Sequence, residues 1–244
     1  ILVPGAAHSN FTASLPDFLQ KHRWFAGKAR PIQNVPLEDS ISIKADGPKG
    51  REFELLLCSV TFVEGEPETY LLPVIFATGK LLDDITNDRP SASICQLSTR
   101  EHAREGVLCD ATAEPELWTE LVELIGRGRT LGGRLGKLHG SPTAVFTQLG
   151  GYQESLDPAI HTRQQSNSSA SIGQRFILKL FRRLAEGENP DVEIGRHFLE
   201  SATTVPVPRL AGALQYTLAG RPPTTIAFLQ EFAANDGDAW TWTL

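Results

Sequence analysis

Apolar and polar positions divide this chain into short extended runs and a few helices. Leu15-Pro16-Asp17-Phe18-Leu19 opens an amphipathic stretch in which a proline suits the first turn of a helix. It leads into Arg23-Trp24-Phe25-Ala26-Gly27-Lys28, dense in aromatic and basic groups. Three strand-like runs follow at 35–43, 53–62 and 69–76, separated by Asp46-Gly47-Pro48 and Glu64-Gly65-Glu66-Pro67, both of which carry turn chemistry. The simplest architecture for this part is a helix laid on an antiparallel meander. In a second segment, about 85–150, Leu117, Leu121 and Leu124 recur at helical spacing beside Trp118, Val122 and Ile125, which predicts a helix over 114–125 with Pro115 in its first turn. The stretch 150–171, rich in Ser, Gln and Asn, reads as loop. Beyond it the pattern predicts a strand at 175–181, a helix at 190–202, strands near 208–216 and 225–232, then a loop and the start of another helix. There is no internal repeat.

The run Gly126-Arg127-Gly128-Arg129-Thr130-Leu131-Gly132-Gly133-Arg134-Leu135-Gly136-Lys137 invites a phosphate-loop reading. Gly128 and Gly133 have the Walker spacing, but Arg134 and Leu135 stand where Lys and Ser/Thr must grip phosphate and magnesium. A flexible connection into a small strand is the expectation instead.

At 244 residues, 41% apolar and 21% charged, the chain has material for one large domain or two to three small ones. A net charge of -6 argues against a polyanion-binding face, so nucleic acid is not an expected partner. Cys58, Cys95 and Cys109 are odd in number and lack zinc-site spacing, which favours free thiols in a reducing compartment. No stretch approaches the roughly 20 apolar residues that cross a bilayer, and the start lacks a basic region followed by an apolar run. A cytoplasmic protein without a membrane partner is expected. A start at Ile1 and a stop at Leu244 in mid-pattern read as cuts within a longer polypeptide.

The candidate chemistry lies in the last third. Phe176-Ile177-Leu178-Lys179-Leu180-Phe181 is apolar on both faces of a strand apart from one lysine. An ammonium removed from water requires an anion nearby, unless Lys179 snorkels to a sheet edge. Asn189-Pro190-Asp191-Val192-Glu193 is a strong helix start, with Asn as N-cap, Pro at the first position and acids in the first turn. Glu193 is then either a favourable charge near a helix N-terminus or the partner of Lys179, since a strand lysine followed by a helix glutamate is how kinases hold ATP phosphates. At about 4 Å and an effective dielectric near 20, such a pair gains about 4 kcal/mol before desolvation. Gln165-Ser166-Asn167-Ser168-Ser169 stands where a phosphate-covering loop would join the first two strands of a kinase; the alternative is a plain surface loop. The buried-type strand ending in Gln230-Glu231-Phe232 leads into Ala233-Ala234-Asn235-Asp236-Gly237-Asp238, either a hinge holding the adenine edge or an ordinary turn with Asp238 as N-cap.

Together with Arg23-Trp24-Phe25-Ala26-Gly27-Lys28 and Gly237-Asp238-Ala239-Trp240, the segments at 165–169, 177–183 and 189–196 resemble the maltokinases across nearly the whole chain, with the segment at 91–155 matched loosely. Ser168 stands where that family typically has threonine, which keeps the hydroxyl. The resemblance implies an α+β protein: an N-terminal cap of antiparallel sheet with a helix (1–90), an intermediate subdomain (91–155) and a protein-kinase-like, aminoglycoside-phosphotransferase-like upper lobe (156–244). It further implies a parent enzyme that transfers the γ-phosphoryl of ATP to maltose, giving maltose 1-phosphate for α-glucan synthesis, in some members fused behind a trehalose synthase. The implied nucleotide-binding set is Ser166, Asn167, Ser168, Ser169, Lys179, Glu193, Gln230, Glu231 and Phe232, with magnesium and maltose held by a lower lobe. No HGD-type catalytic loop or DFG-like metal motif occurs in the sequence, so these 244 residues are expected to be inactive alone. Two alternatives stay open: a non-catalytic interaction module, favoured if Trp24 and Phe25 are exposed, and a kinase for another small acceptor.

Overall fold

The computed structural model describes residues 6–46, 50–99, 104–151, 156–161, 166–201 and 206–234. The first half comprises helix α1 (Ala6–Lys21), strands β1 (Ile32–Asn34), β2 (Leu37–Lys44), β3 (Glu52–Phe62) and β4 (Glu68–Ala77), helix α2 (Gly79–Asp88), and strands β5 (Ser93–Thr99) and β6 (Arg104–Asp110). Helix α3 (Pro115–Gly126) then leads to β7 (Thr130–Gly132), β8 (Lys137–Pro142), the short helix α4 (Ala144–Gln148), β9 (Pro158–His161), β10 (Asn167–Ile172), β11 (Phe176–Phe181), β12 (Arg183–Leu184), helix α5 (Pro190–Glu200), β13 (Leu210–Thr217) and β14 (Thr224–Glu231). Two antiparallel sheets result, so the α+β class expected from the sequence is the one observed. One runs β1-β3-β4-β6-β5, with β2 also on β3 and β12 on β4; the other runs β7-β8-β13-β14-β11-β10-β9.

The first sheet is buried on both faces, which is why β3 and β4 read as nearly continuous apolar runs. Leu56, Cys58, Val60, Tyr70, Leu72 and Val74 meet α1 through Phe11, Leu15, Phe18 and Leu19. On the opposite face Phe53, Leu55, Leu57, Leu71 and Ile75 join a core shared with α3 and the second sheet. Helix α1 starts well before Pro16 and runs through it. Proline inside a helix removes a donor and crowds the preceding turn, yet burial of Phe11, Leu15, Phe18 and Leu19 offsets that cost. Trp24 and Phe25 are buried against Tyr70 and Phe62; they are domain core, and the exposure that would favour an interaction module is not seen.

Strands β5 and β6, expected outside the cap, pair into the first sheet, because β6 hydrogen-bonds to β4 through Val74↔Asp110 to Ala77↔Val107 and to β5. Strands β7 and β8 instead extend the second sheet through β13. All three cysteines are free; burial pushes the thiols of Cys95 and Cys109 up to about 11.

The glycine-rich run is the β7–β8 hairpin, and its turn binds an anion belonging to the protein itself. Asp39 of β2 accepts hydrogen bonds from Leu135 N (3.0 Å), Gly136 N (2.8 Å), Ser40 N (2.8 Å) and Tyr216 Oη (2.7 Å). Burial alone would raise the Asp39 carboxyl, but these donors outweigh it and hold it below the ordinary range. This buried carboxylate ties the first sheet to the second. Helix α3 lies so close to the second sheet that a Cβ on Gly140 would sit 2.0 Å from Leu124 O and 2.6 Å from its carbonyl carbon. Gly140→Ala is expected to cost about 1–3 kcal/mol, read as a lower urea midpoint at unchanged m, because backbone on both sides resists the shift.

Candidate nucleotide-binding face of the second sheet

Five strands of the second sheet, β9-β10-β11-β14-β13, stand in the spatial order 1-2-3-5-4, with α5 inserted between the third and the fourth. Lys179 is on the third. Directly opposed residues of antiparallel strands share a face, so the pairs His161↔Ser169, Ser169↔Lys179 and Lys179↔Phe228 form one cross-strand row. Lys179 is half-buried, and its Nζ lies 5.1 Å from the Phe228 ring centroid. Among the described residues it has no carboxylate within ion-pair reach.

The Lys179–Glu193 link expected from the sequence is therefore not formed. The helix that should supply it is present: the Asn189 side chain accepts from Asp191 N (2.9 Å) and Pro190 occupies the first turn. Glu193, however, is exposed on α5, whose sheet-facing contacts come from Val192 and from Gly195 against Leu210. The N-cap motif dictates where a helix starts but not which residue of its first turn faces the sheet.

The serine-rich segment is strand rather than loop. Asn167, Ser168 and Ser169 belong to β10; Asn167 and Ser169 share the face of Lys179, while Ser168 opposes Leu180 on the other face. Ser166 is an exposed residue at the bend before β10, and Gln165 lies outside the described residues. At the far end of the row, Gln230 opposes Ile177 and so shares the Lys179 face. Glu231 is engaged by Arg209 Nε (2.8 Å) and Nη2 (3.0 Å), and these bonds hold its carboxyl below the usual range. The backbone N–H of Glu231 donates to Arg209 O and that of Phe232 to Arg175 O, both at 2.8 Å. The donors at 231 and 232 expected to hold an adenine edge are thus already occupied; residues 235–238 of the expected hinge lie outside the described set.

Two groups beside this face carry no role in the sequence reading. His161 on edge strand β9 bonds Ser171 Oγ through Nε2 (2.7 Å) and Ser169 Oγ through Nδ1 (3.2 Å). A short polar edge strand carries little hydrophobic signal, so 158–161 was hidden in what reads as loop. The second is Arg182, fully buried where the chain leaves β11 for the first sheet; it pairs with Asp110 and its guanidinium lies 4.1 Å from the Trp24 ring. Beside it, His22, Trp24, Arg89, Asp110 and Trp118 from the first half and His161, Asn167, Ser168 and Ser169 from the second line a cavity of about 210 Å³. Among the described residues no group of three or more His, Cys, Asp or Glu could hold a metal ion, and no helix is long and apolar enough to cross a membrane.

Residues 18–113 match the family model of the maltokinase N-terminal cap domain. Among solved structures, the chain is similar to a glucosamine kinase in complex with glucosamine, ADP and inorganic phosphate at 15% identity and a TM-score of 0.47, over 98% of this chain and 43% of that one. Crystal form A of glucosamine kinase gives 17% identity and a TM-score of 0.47 over 98% and 44% of the two chains. The chain thus spans less than half the length of these structures. The matched span takes in β5 and β6, in accord with their place in the first sheet.

Proposed function

We propose that the second sheet with α5 is the nucleotide-holding upper lobe of a maltokinase, the cap at its front, and that the parent enzyme moves the γ-phosphoryl of ATP onto maltose. The observation that carries this reading is Lys179: a half-buried ammonium on the third of five strands, with no carboxylate beside it among the described residues. Leaving such a charge without a counter-ion is costly, and a polyphosphate supplies one. Asn167, Ser169 and Gln230 add neutral donors on the same face, and an upper-lobe strand lysine is the group that kinases aim at the phosphates. ATP would contribute the transferable phosphoryl group; this chain's part is to seat and orient its phosphates. Glu193 enters this reading only through an inward turn of α5 when nucleotide binds. No magnesium ligand is proposed among the described residues.

Lys179→Ala is expected to abolish ATP binding while leaving the far-UV circular dichroism spectrum unchanged, since trimming an unpaired side chain leaves the strand pairing intact. Titration calorimetry with millimolar ATP checks this, and an unchanged affinity would remove the assignment. The chain alone is expected to make no maltose 1-phosphate, because its sequence lacks the HGD-type loop; product detected from these 244 residues would refute that part.

A further inference from the structure

His161 reaches from the edge strand along β10 and engages two hydroxyls at once, Ser171 through Nε2 and Ser169 through Nδ1. Ser169 is the residue directly opposite Lys179. A neutral imidazole has one donor and one acceptor nitrogen, whereas an imidazolium has two donors. In the neutral form one of the two serines therefore gives its proton to the ring, and that hydroxyl is left with nothing to offer an anion. When the ring is protonated it donates to both serines, and both hydroxyl protons are released toward the face of Lys179. The same proton adds a second positive charge to the row.

We infer that His161 is a positioning residue for the nucleotide phosphates, and that it makes their binding proton-linked, tighter as the ring gains its proton. This inference rests on the nucleotide-holding reading of the Lys179 face. The charged groups nearest the ring have partners of their own. His22, Arg89 and Asp110 line the same cavity, but Arg89 is engaged by Glu114 and Asp110 by Arg182. On α3, which packs against β9, Glu116 pairs with Arg51, Glu123 with Arg127, and Glu120 accepts from Asp46 N. Lys179 stands one strand beyond Ser169. His161 is itself exposed, so proton exchange with solvent is unobstructed.

The test is ATP titration of the 244-residue chain between pH 5.5 and 8, beside His161→Gln, Ser169→Ala, Ser169→Thr and Lys179→Ala, with adenosine as the uncharged probe. Because ATP also titrates in this range, the quantity read is the ratio of wild-type to His161→Gln affinity at each pH. That ratio is expected to rise by about three- to tenfold toward low pH, the scale of one ordinary net hydrogen bond. Adenosine affinity should be the same in both proteins. Ser169→Thr should keep the pH response and Ser169→Ala should lose it. By linkage, ATP binding must perturb the imidazole proton resonance of His161 in the wild-type protein. A flat ratio with an unmoved resonance, while Lys179→Ala still abolishes ATP binding, overturns the role of His161 alone. No ATP binding, or binding indifferent to Lys179→Ala, overturns the nucleotide reading on which it rests.

Discussion

Asp110→Ala is expected to destabilise the chain by about 3–5 kcal/mol, the cost of leaving a buried charge without its partner. Arg182 is fully buried, and its Nε and Nη1 have no hydrogen-bond partner among the described residues, so the ion pair with Asp110 and the Trp24 ring are what hold the guanidinium there. Removing the carboxylate therefore strands a cation at the crossing between the two sheets, where Leu71 N also donates to Arg182 O (2.8 Å). Adding Arg182→Met should recover most of the loss, because a flexible apolar side chain fills the space without requiring a counter-charge. Urea denaturation of the single and double variants checks both statements; a single variant within 1 kcal/mol of wild type would show that the pair is not the anchor described here.

The pair also sets an acid limit. Burial by itself pushes the Asp110 carboxyl up, but Arg182 and the bonds from Thr112 N (2.8 Å) and Thr112 Oγ1 (2.5 Å) outweigh burial and hold it below the ordinary range. Its contribution to stability is complete above the unfolded carboxylate value of about 3.9 and is lost as pH falls through the lower folded value. The wild-type protein should lose stability across that window more steeply than Asp110→Ala does.

Trp118→Ala is expected to cost about 3–5 kcal/mol, the usual range for truncating a fully buried aromatic. Trp118 is completely buried on α3 between the two sheets, and its Nε1 donates to Thr112 O at 2.8 Å. The substitution opens a cavity and leaves that carbonyl unpaired beside Asp110. Trp118→Phe retains much of the packing and should lose less, about 1–3 kcal/mol from the orphaned carbonyl. Far-UV circular dichroism in urea follows both variants, because it does not depend on the deleted indole. Equal losses for Ala and Phe would place the effect in the hydrogen bond rather than in the packing.

Much of the fold is local and was legible as such. Pro115 with the Leu117–Leu121–Leu124 spacing sets α3, Asn189-Pro190 sets the start of α5, and Glu64-Gly65-Glu66-Pro67 separates β3 from β4. These signals depend on backbone dihedrals and on helical or strand periodicity, which neighbouring residues dictate by themselves. The lone ammonium in the run Phe176–Phe181 was equally visible, because an apolar strand makes any charge conspicuous.

What the sequence could not determine was partnership, since opposing charges and strands meet only after the chain is folded. Lys179 was visible, but whether Glu193 meets it depends on how α5 turns on the sheet, and there Val192 and Gly195 rather than Glu193 face inward. Sheet membership likewise set β5 and β6 in the first sheet and turned 158–161 and 167–172 from apparent loop into the strands that bring His161 and Ser169 into the row of Lys179. The glycine-rich run was seen, but that its free N–H groups serve Asp39 from 96 and 97 residues away emerges only in three dimensions. Hydrogen bonds and ion pairs act over a few ångströms regardless of separation along the chain, so tertiary packing alone decides which groups they join.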